Sequence, residues 1–296
     1  MAILTIENLS KNYGAVRALN NISFAVPEKT VFGILGPNGS GKTTLLGIAM
    51  DILKATSGSY TWTGEQSADA MRKKIGTLLE TPNFYHYLSA EDNLRIAAKI
   101  KGKGEEDIPK VLEMVNLYER KDSKFNTYSL GMKQRLAIAS TLLGDPDILV
   151  FDEPTNGLDP AGIAEIRELI KELNRKGKTI IMASHILDEV EKVCSHVAII
   201  KNGDLLATGE VGSILSKAIT VEIASKDTDL LRGLLADVNY ISKIENRAHV
   251  LSVSVKHGFG AYDLSQLAFE KGIVLTHLVE KKRSLEQEFL QITSNN

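Results

Sequence analysis

Apolar positions along the 296-residue chain change between strand and helix spacing from one stretch to the next. From residue 1 to about 82 they fall in short runs with strand character: ILTIENL, NISFAV, TVFGIL, SGSYTW and KIGTLL. One helix interrupts them, starting at the Gly-rich stretch GPNGSGKTT. Residues 90 to 143 change to helical spacing in AEDNLRIAAKIKG, DIPKVLEMVNLYER and SLGMKQRLAIASTLL. Strand and helix then alternate through DILVFDE, PAGIAEIRELIKELNRKG, KTIIMAS, HILDEVEKVC and HVAIIKNG. This order predicts an α/β core with a mainly parallel, doubly wound sheet and a helical insertion at about 83–146.

After LATGEVGSILSK the pattern becomes that of a small α+β appendage. Strands are expected at AITVEIAS, HVLSVSVK and IVLTHLV, and helices near TDLLRGLLAD, DLSQLAFEKG and SLEQEFLQIT. Ser284 with Gln287 makes a capping-box start for the last helix. The expected division is therefore residues 1–216 and 217–296. The appendage carries no chemical motif.

Composition narrows the partners. A formal net charge of −2 gives no basic field, so no nucleic-acid partner is expected. The single cysteine, Cys194, permits no intrachain disulfide and reads as a small buried apolar residue in a reducing compartment. No apolar run approaches the ~18 residues that a membrane span needs. MAILTIENLSKNYG also lacks a basic start followed by an apolar signal core. A soluble, cytoplasmic chain is expected, reaching a membrane only through another protein.

The strongest chemical signal is GPNGSGKT, Gly36 to Thr43, placed between a strand and a helix. Glycines at this spacing curl the backbone so that successive N–H groups face phosphate oxygens, and the helix N-terminus adds its positive end. Gly36, Asn38, Gly39, Ser40, Gly41, Lys42, Thr43 and Thr44 are the expected ATP ligands, with Lys42 on the outer phosphates and Thr43 on Mg²⁺. DILVFDEP ends a buried strand on two adjacent carboxylates, a costly arrangement unless they meet a cation. Asp152 is the expected metal residue and Glu153 the general base.

YSLGMKQR (128–135), DEPTNGLDP (152–160) and ASH (183–185) resemble the signature, Walker B with D-loop, and switch histidine of ABC-type ATPases. The resemblance spans about residues 1–216. It implies a P-loop core with an N-terminal antiparallel β subdomain, and a head-to-tail homodimer holding each ATP between the P-loop of one copy and the signature of the other. On those terms Ser129 and Gly131 face the γ-phosphate of the opposite site, Tyr13 stacks on adenine and Val16 lies beside the ribose. His185 touches the γ-phosphate, and Asp159 sits at the seam. Ser129 and Asp159 also read as plain helix caps, and Tyr13 as a surface tyrosine. The signature departs from LSGGQ at Tyr128, Leu130 and Met132.

In the same pattern the position of Glu80 carries Gln, which reaches Mg²⁺ and the attacking water. The resemblance assigns Glu80 to both the metal and the catalysis, against the reading of a solvated loop acid. Residues 82–86, beginning Pro82, Asn83, Phe84 and Tyr85, would receive a separate membrane permease. PTNGLDPAGI and LLETPNFY most resemble the ATPases of bacitracin, lantibiotic and drug exporters, which work on the cytoplasmic face of the membrane. Two other classes compete. A soluble ABC-type mechanoenzyme acting on ribosomes or nucleic acid usually has two ATPase halves or a long coiled coil, and this chain shows neither. A small-molecule kinase leaves YSLGM unexplained.

Overall fold

SKNY and VRAL, which lie outside the runs ILTIENL and NISFAV, continue a long antiparallel ladder. β1 (Ala2–Tyr13) and β2 (Val16–Pro27) form a hairpin whose last pair is Tyr13 with Val16. The apolar alternation fades toward the tip, but backbone hydrogen bonding does not depend on side-chain polarity. This computed structural model describes residues 1–63, 71, 73–79, 83–215, 219–247, 249–256 and 258–282.

Along the rest of the first compact unit, Met1–Gly209, the elements in chain order begin with β3 (Val31–Leu35), α1 (Lys42–Ala49), β4 (Ser57–Trp62) and β5 (Ile75–Leu78). Three helices follow: α2 (Ala90–Lys101), α3 (Ile108–Met114) and α4 (Leu130–Leu142). Then come β6 (Ile148–Asp152), α5 (Pro160–Arg175), β7 (Thr179–Ser184), α6 (Leu187–Val193), β8 (His196–Lys201) and β9 (Asp204–Glu210). β4 joins the hairpin in a three-stranded sheet of order β2-β1-β4. The main sheet runs β5-β6-β7-β3-β8-β9, and its neighbours from β5 through β8 are parallel.

Every residue of β3, β6 and β7 is buried. Parallel strands are covered on both faces, which is why these three read as apolar runs with polar residues only at the ends of β6 and β7. Their carboxyl ends, Leu35, Asp152 and Ser184, lie side by side, and the loops after them build the site.

Local readings change in several places, β11 (Ile241–Arg247) of the second unit among them. DIPKVLEMVNLYER is not one helix: α3 stops at Met114 and Asn116 turns left-handed at φ 54°, before a short 3₁₀ turn at Tyr118–Arg120. Asn tolerates that conformation better than other non-Gly residues. β9 was not expected. It follows Asn202 and Gly203, both at positive φ, the two-residue turn that an Asn-Gly pair favours in hairpins.

The second unit, Glu210–Asn296, contains α7 (Val211–Leu215), β10 (Ile219–Ser225), α8 (Thr228–Ala236), β11 (Ile241–Arg247), β12 (Val250–Val255), α9 (Ala261–Glu270) and β13 (Leu275–Lys282). Its antiparallel sheet has the order β11-β12-β10-β13. Val221, Ile223, Leu251, Val253, Leu231, Leu235 and Leu264 form its core. The helix expected from Ser284 lies outside the described residues. Among the described residues no helix is long and apolar enough to cross a membrane.

Candidate functional site

β3 delivers the chain to Gly36, whose N–H donates to the Ser184 carbonyl at 3.3 Å. A Cβ there would sit 2.1 Å from the Ile200 carbonyl oxygen, so only glycine fits. Gly41 closes the loop at φ 107°, and a Cβ on it would strike the Ala18 carbonyl at 2.5 Å. Pro37, Asn38 and Gly39 are exposed at the loop tip, while Thr44 is half-buried behind it. α1 starts here with no side-chain cap and no acid in its first turn. Its leading N–H groups and positive dipole end are thus left to an outside anion. Ser40 is 2% exposed, and its hydroxyl has no hydrogen-bond partner among the described residues. A buried polar atom in that position calls for a ligand.

Lys42, 5% exposed, donates to the carbonyls of Gly36 at 2.8 Å and Pro37 at 3.2 Å. Its Nζ lies 3.4 Å from Glu153 Oε1. The next residue, Thr43, donates its hydroxyl to Asp152 Oδ2 at 2.6 Å. Asp152 ends β6 and is buried. Glu153 follows in the left-handed region at φ 50°, with its N–H on the Ala183 carbonyl at 3.0 Å. Such a conformation costs on the order of 1–3 kcal/mol for a residue with a Cβ, and clusters at functional sites. It brings Glu153 Oε2 within 2.8 Å of His185 Nδ1, just past the end of β7. Lys42, Thr43, Asp152, Glu153 and His185 thus converge from three elements.

The donors also suit a magnesium ion. Thr43 and Asp152 offer a hydroxyl and a carboxylate oxygen, hard ligands of the kind Mg²⁺ takes. No group of three or more His, Cys, Asp or Glu suited to a metal occurs among the described residues.

Other expected residues lie elsewhere on the same unit. Tyr13 and Val16 are exposed at the hairpin tip, with Lys11 Nζ 4.8 Å above the Tyr13 ring. Ala18, two residues from that tip, packs on Gly41. Ser129 caps α4, accepting from the Met132 N–H at 3.2 Å, and Gly131 lies in the first turn. Asp159 caps α5, accepting from the Gly162 N–H at 3.0 Å. Both thus act as caps within their own helix starts. Tyr128 is buried and donates its hydroxyl to the Arg120 carbonyl at 2.7 Å. Cys194 is buried, and burial pushes its thiol far above the usual range.

Glu80 and Pro82 fall outside the described residues. In the loop that follows, Phe84 is not freely exposed: it packs edge-on against Phe125, with ring centroids 5.2 Å apart. The exposed rings are Tyr85 and Tyr87, at 49% and 66%. Sequence reasoning missed Asn93, a buried side chain that accepts from the Tyr85 N–H at 2.7 Å and donates to its carbonyl at 3.1 Å. It also missed Phe125, which meets Phe84, His86, Tyr128 and the Lys133 ammonium. The aromatic density of FYHY was the available signal.

Residues 19–156 match the family described as ABC transporter. The bacitracin transport ATP-binding protein BcrA of Enterococcus faecalis is 32% identical, over 98% of this chain and 96% of its own length. The lantibiotic transport ATP-binding protein SrtF of Streptococcus pyogenes is 40% identical, over 70% of this chain and 91% of its own. Among solved structures, cbiO1 from Clostridium perfringens, part of the ABC transporter complex cbiONQ, superposes with a TM-score of 0.65 at 29% identity, covering 80% of this chain and 96% of that one. A dimeric, post-hydrolysis ATP-binding cassette, MJ0796 bound to ADP and Pi, gives 0.63 at 27% identity, covering 70% and 98%.

Proposed function

Because the chain belongs to the ABC transporter family, as an ATP-binding and ATP-hydrolysing subunit, we propose that it powers a separate membrane permease through an ATP-closed dimer of two copies. The permease exports peptide antibiotics or similar compounds, and the subunit works peripherally on the cytoplasmic face of the membrane. One observation carries the reading: Glu153 stands between Lys42 and His185, beside the Thr43–Asp152 pair. A P-loop cation, a metal-type carboxylate and a base held by a second group are what phosphoryl transfer to water needs.

Roles follow from this geometry. The loop N–H groups and Lys42 bind the phosphates, and the Ser40 hydroxyl donates to one of them. Thr43 and Asp152 hold Mg²⁺, which supplies charge neutralisation at the phosphates when bound, and Glu80 joins them on sequence grounds alone. Glu153 accepts the proton of the attacking water. His185 keeps one carboxylate oxygen occupied, which orients the other. In the closed dimer Ser129 and Gly131 reach the γ-phosphate held by the second copy, with Asp159 at the seam. The similarity to a bacitracin transport ATP-binding protein over nearly the whole chain favours this over a soluble mechanoenzyme.

Tyr13 stacks on the adenine and Val16 borders the ribose. Tyr13→Ala should raise the KM for ATP roughly tenfold, as loss of one base–aromatic stack does, and leave kcat near its parental value. A parental KM in steady-state assays would place the ring elsewhere.

The permease docks on Tyr85 and Tyr87, since exposed aromatic side chains clustered beside a catalytic site mark a partner surface. Tyr85→Asp/Tyr87→Asp should lose co-purification with membranes while the isolated subunit keeps its ATPase activity. Retained membrane association in the double variant would remove this surface from the account.

A further inference from the structure

The surroundings of Leu130 give a role to one of the departures from LSGGQ. Leu130 is the first residue of α4 and is 53% exposed. Its Cδ2 lies 3.2 Å from where a Cβ on Gly157 would stand, so the leucine rests on the bare backbone of the loop before α5. Gly157 has φ 75°, a conformation that disfavours any side chain there. The contact has a counterpart. Leu158 Cδ2 lies 4.0 Å from the Cβ position of Gly131, and its Cβ 3.4 Å from that of Gly162 in α5. Each helix start therefore lays a leucine over a glycine of the other.

A second tie joins the same two helices farther along. Arg135 of α4 points Nε at Glu165 Oε2 of α5, 3.5 Å away. Its Nη1 also donates to the Val115 carbonyl at 3.2 Å, behind α3. Arg135 and Glu165 each stand six residues beyond their cap, Ser129 and Asp159, which at 1.5 Å per residue is about 9 Å along either axis. Between the helices the packing is open: a cavity of about 380 Å³ is lined by Met114 and Asn116 at the end of α3, Arg135 of α4, and Glu165 and Leu169 of α5. The two ties bridge this opening, while the buried faces of α4 and α5 pack elsewhere in the unit.

We propose that Leu130 is a positioning residue. Seated on Gly157, with Leu158 on Gly131 and Arg135–Glu165 below, it holds the starts of α4 and α5 as one piece. Ser129 and Asp159 then meet the nucleotide of the second copy together. The inference rests on the composite site proposed above. Without Leu130 the two caps move independently, and dimer closure must order both at the cost of conformational entropy. The cost falls on closure over ATP and not on nucleotide binding at the P-loop, whose Lys42 and Thr43 contact Gly36, Glu153 and Asp152 instead.

The test compares Leu130→Gly, Leu130→Met and Glu165→Ala in the full chain. It measures ATPase activity against ATP concentration, calorimetric affinity for ADP, and the melting temperature. ADP lacks the phosphate that the second copy would touch, so it reads the P-loop side alone. Leu130→Gly and Glu165→Ala are each expected to raise the KM for ATP about tenfold, with ADP affinity within about twofold of the parent. Leu130→Met, which restores apolar volume, should return the KM to the parental range. A mixture of Lys42→Ala and Ser129→Ala subunits is run in parallel. If the mixture regains activity while Leu130→Gly keeps the parental KM, the positioning role alone is overturned. Parallel losses in ADP affinity, kcat and melting temperature would mark Leu130 as merely structural and overturn it too. A mixture that stays inactive despite subunit exchange removes the composite site, and this inference with it.

Discussion

Glu153→Gln is expected to bind ATP and to lose ATP hydrolysis by about 10² or more, the scale of a missing general base. Gln keeps the length and shape of the side chain, so the left-handed backbone at this position and the bond to the Ala183 carbonyl should persist. Lys42 loses a carboxylate 3.4 Å away but keeps the carbonyls of Gly36 and Pro37, so its buried charge is not orphaned. The amide still meets His185 Nδ1, whose proton can be placed to suit it. What disappears is the capacity to take a proton from water. Binding without turnover should trap the ATP-bound dimer, visible as an ATP-dependent shift to twice the mass in size-exclusion chromatography with light scattering. Parental turnover in Glu153→Gln would remove Glu153 from the mechanism.

How much of this was legible depended on what each residue needs from its neighbours. Buried parallel strands announce themselves, because β3, β6 and β7 are covered on both faces and are apolar through their interiors, with polar residues only at the ends of β6 and β7. β9 and β11 are partly or fully exposed along most of their length, so polar residues mask their strand character. For β9 the Asn202–Gly203 pair was the better signal. The phosphate loop was readable because its shape is local: Gly36 to Thr43 are neighbours in sequence as in space. The ion pair of Lys42 with Glu153, and the bond from His185 that orients it, join loops after different strands and depend on sheet order. Sheet order follows from the whole topology and from no single motif. The seat of Leu130 on Gly157 belongs to the same class, since it exists only where two helix starts come together.

Shared ATP sites make the most direct demand on the account. Lys42→Ala removes the phosphate cation from one side of a site, and Ser129→Ala removes the signature hydroxyl from the other. Each homodimer then has two defective sites. A dimer with one copy of each concentrates both defects in a single site and leaves the other intact. With equal amounts and free exchange, half of the dimers are mixed, so independent sites should restore about a quarter of parental activity. The measurement is the ATPase rate of the mixture against the two variants alone, with differently tagged subunits shown to co-purify. Recovery toward that fraction is the expected result. Co-purifying subunits with no activity above either variant would contradict a nucleotide site built from two copies of this chain.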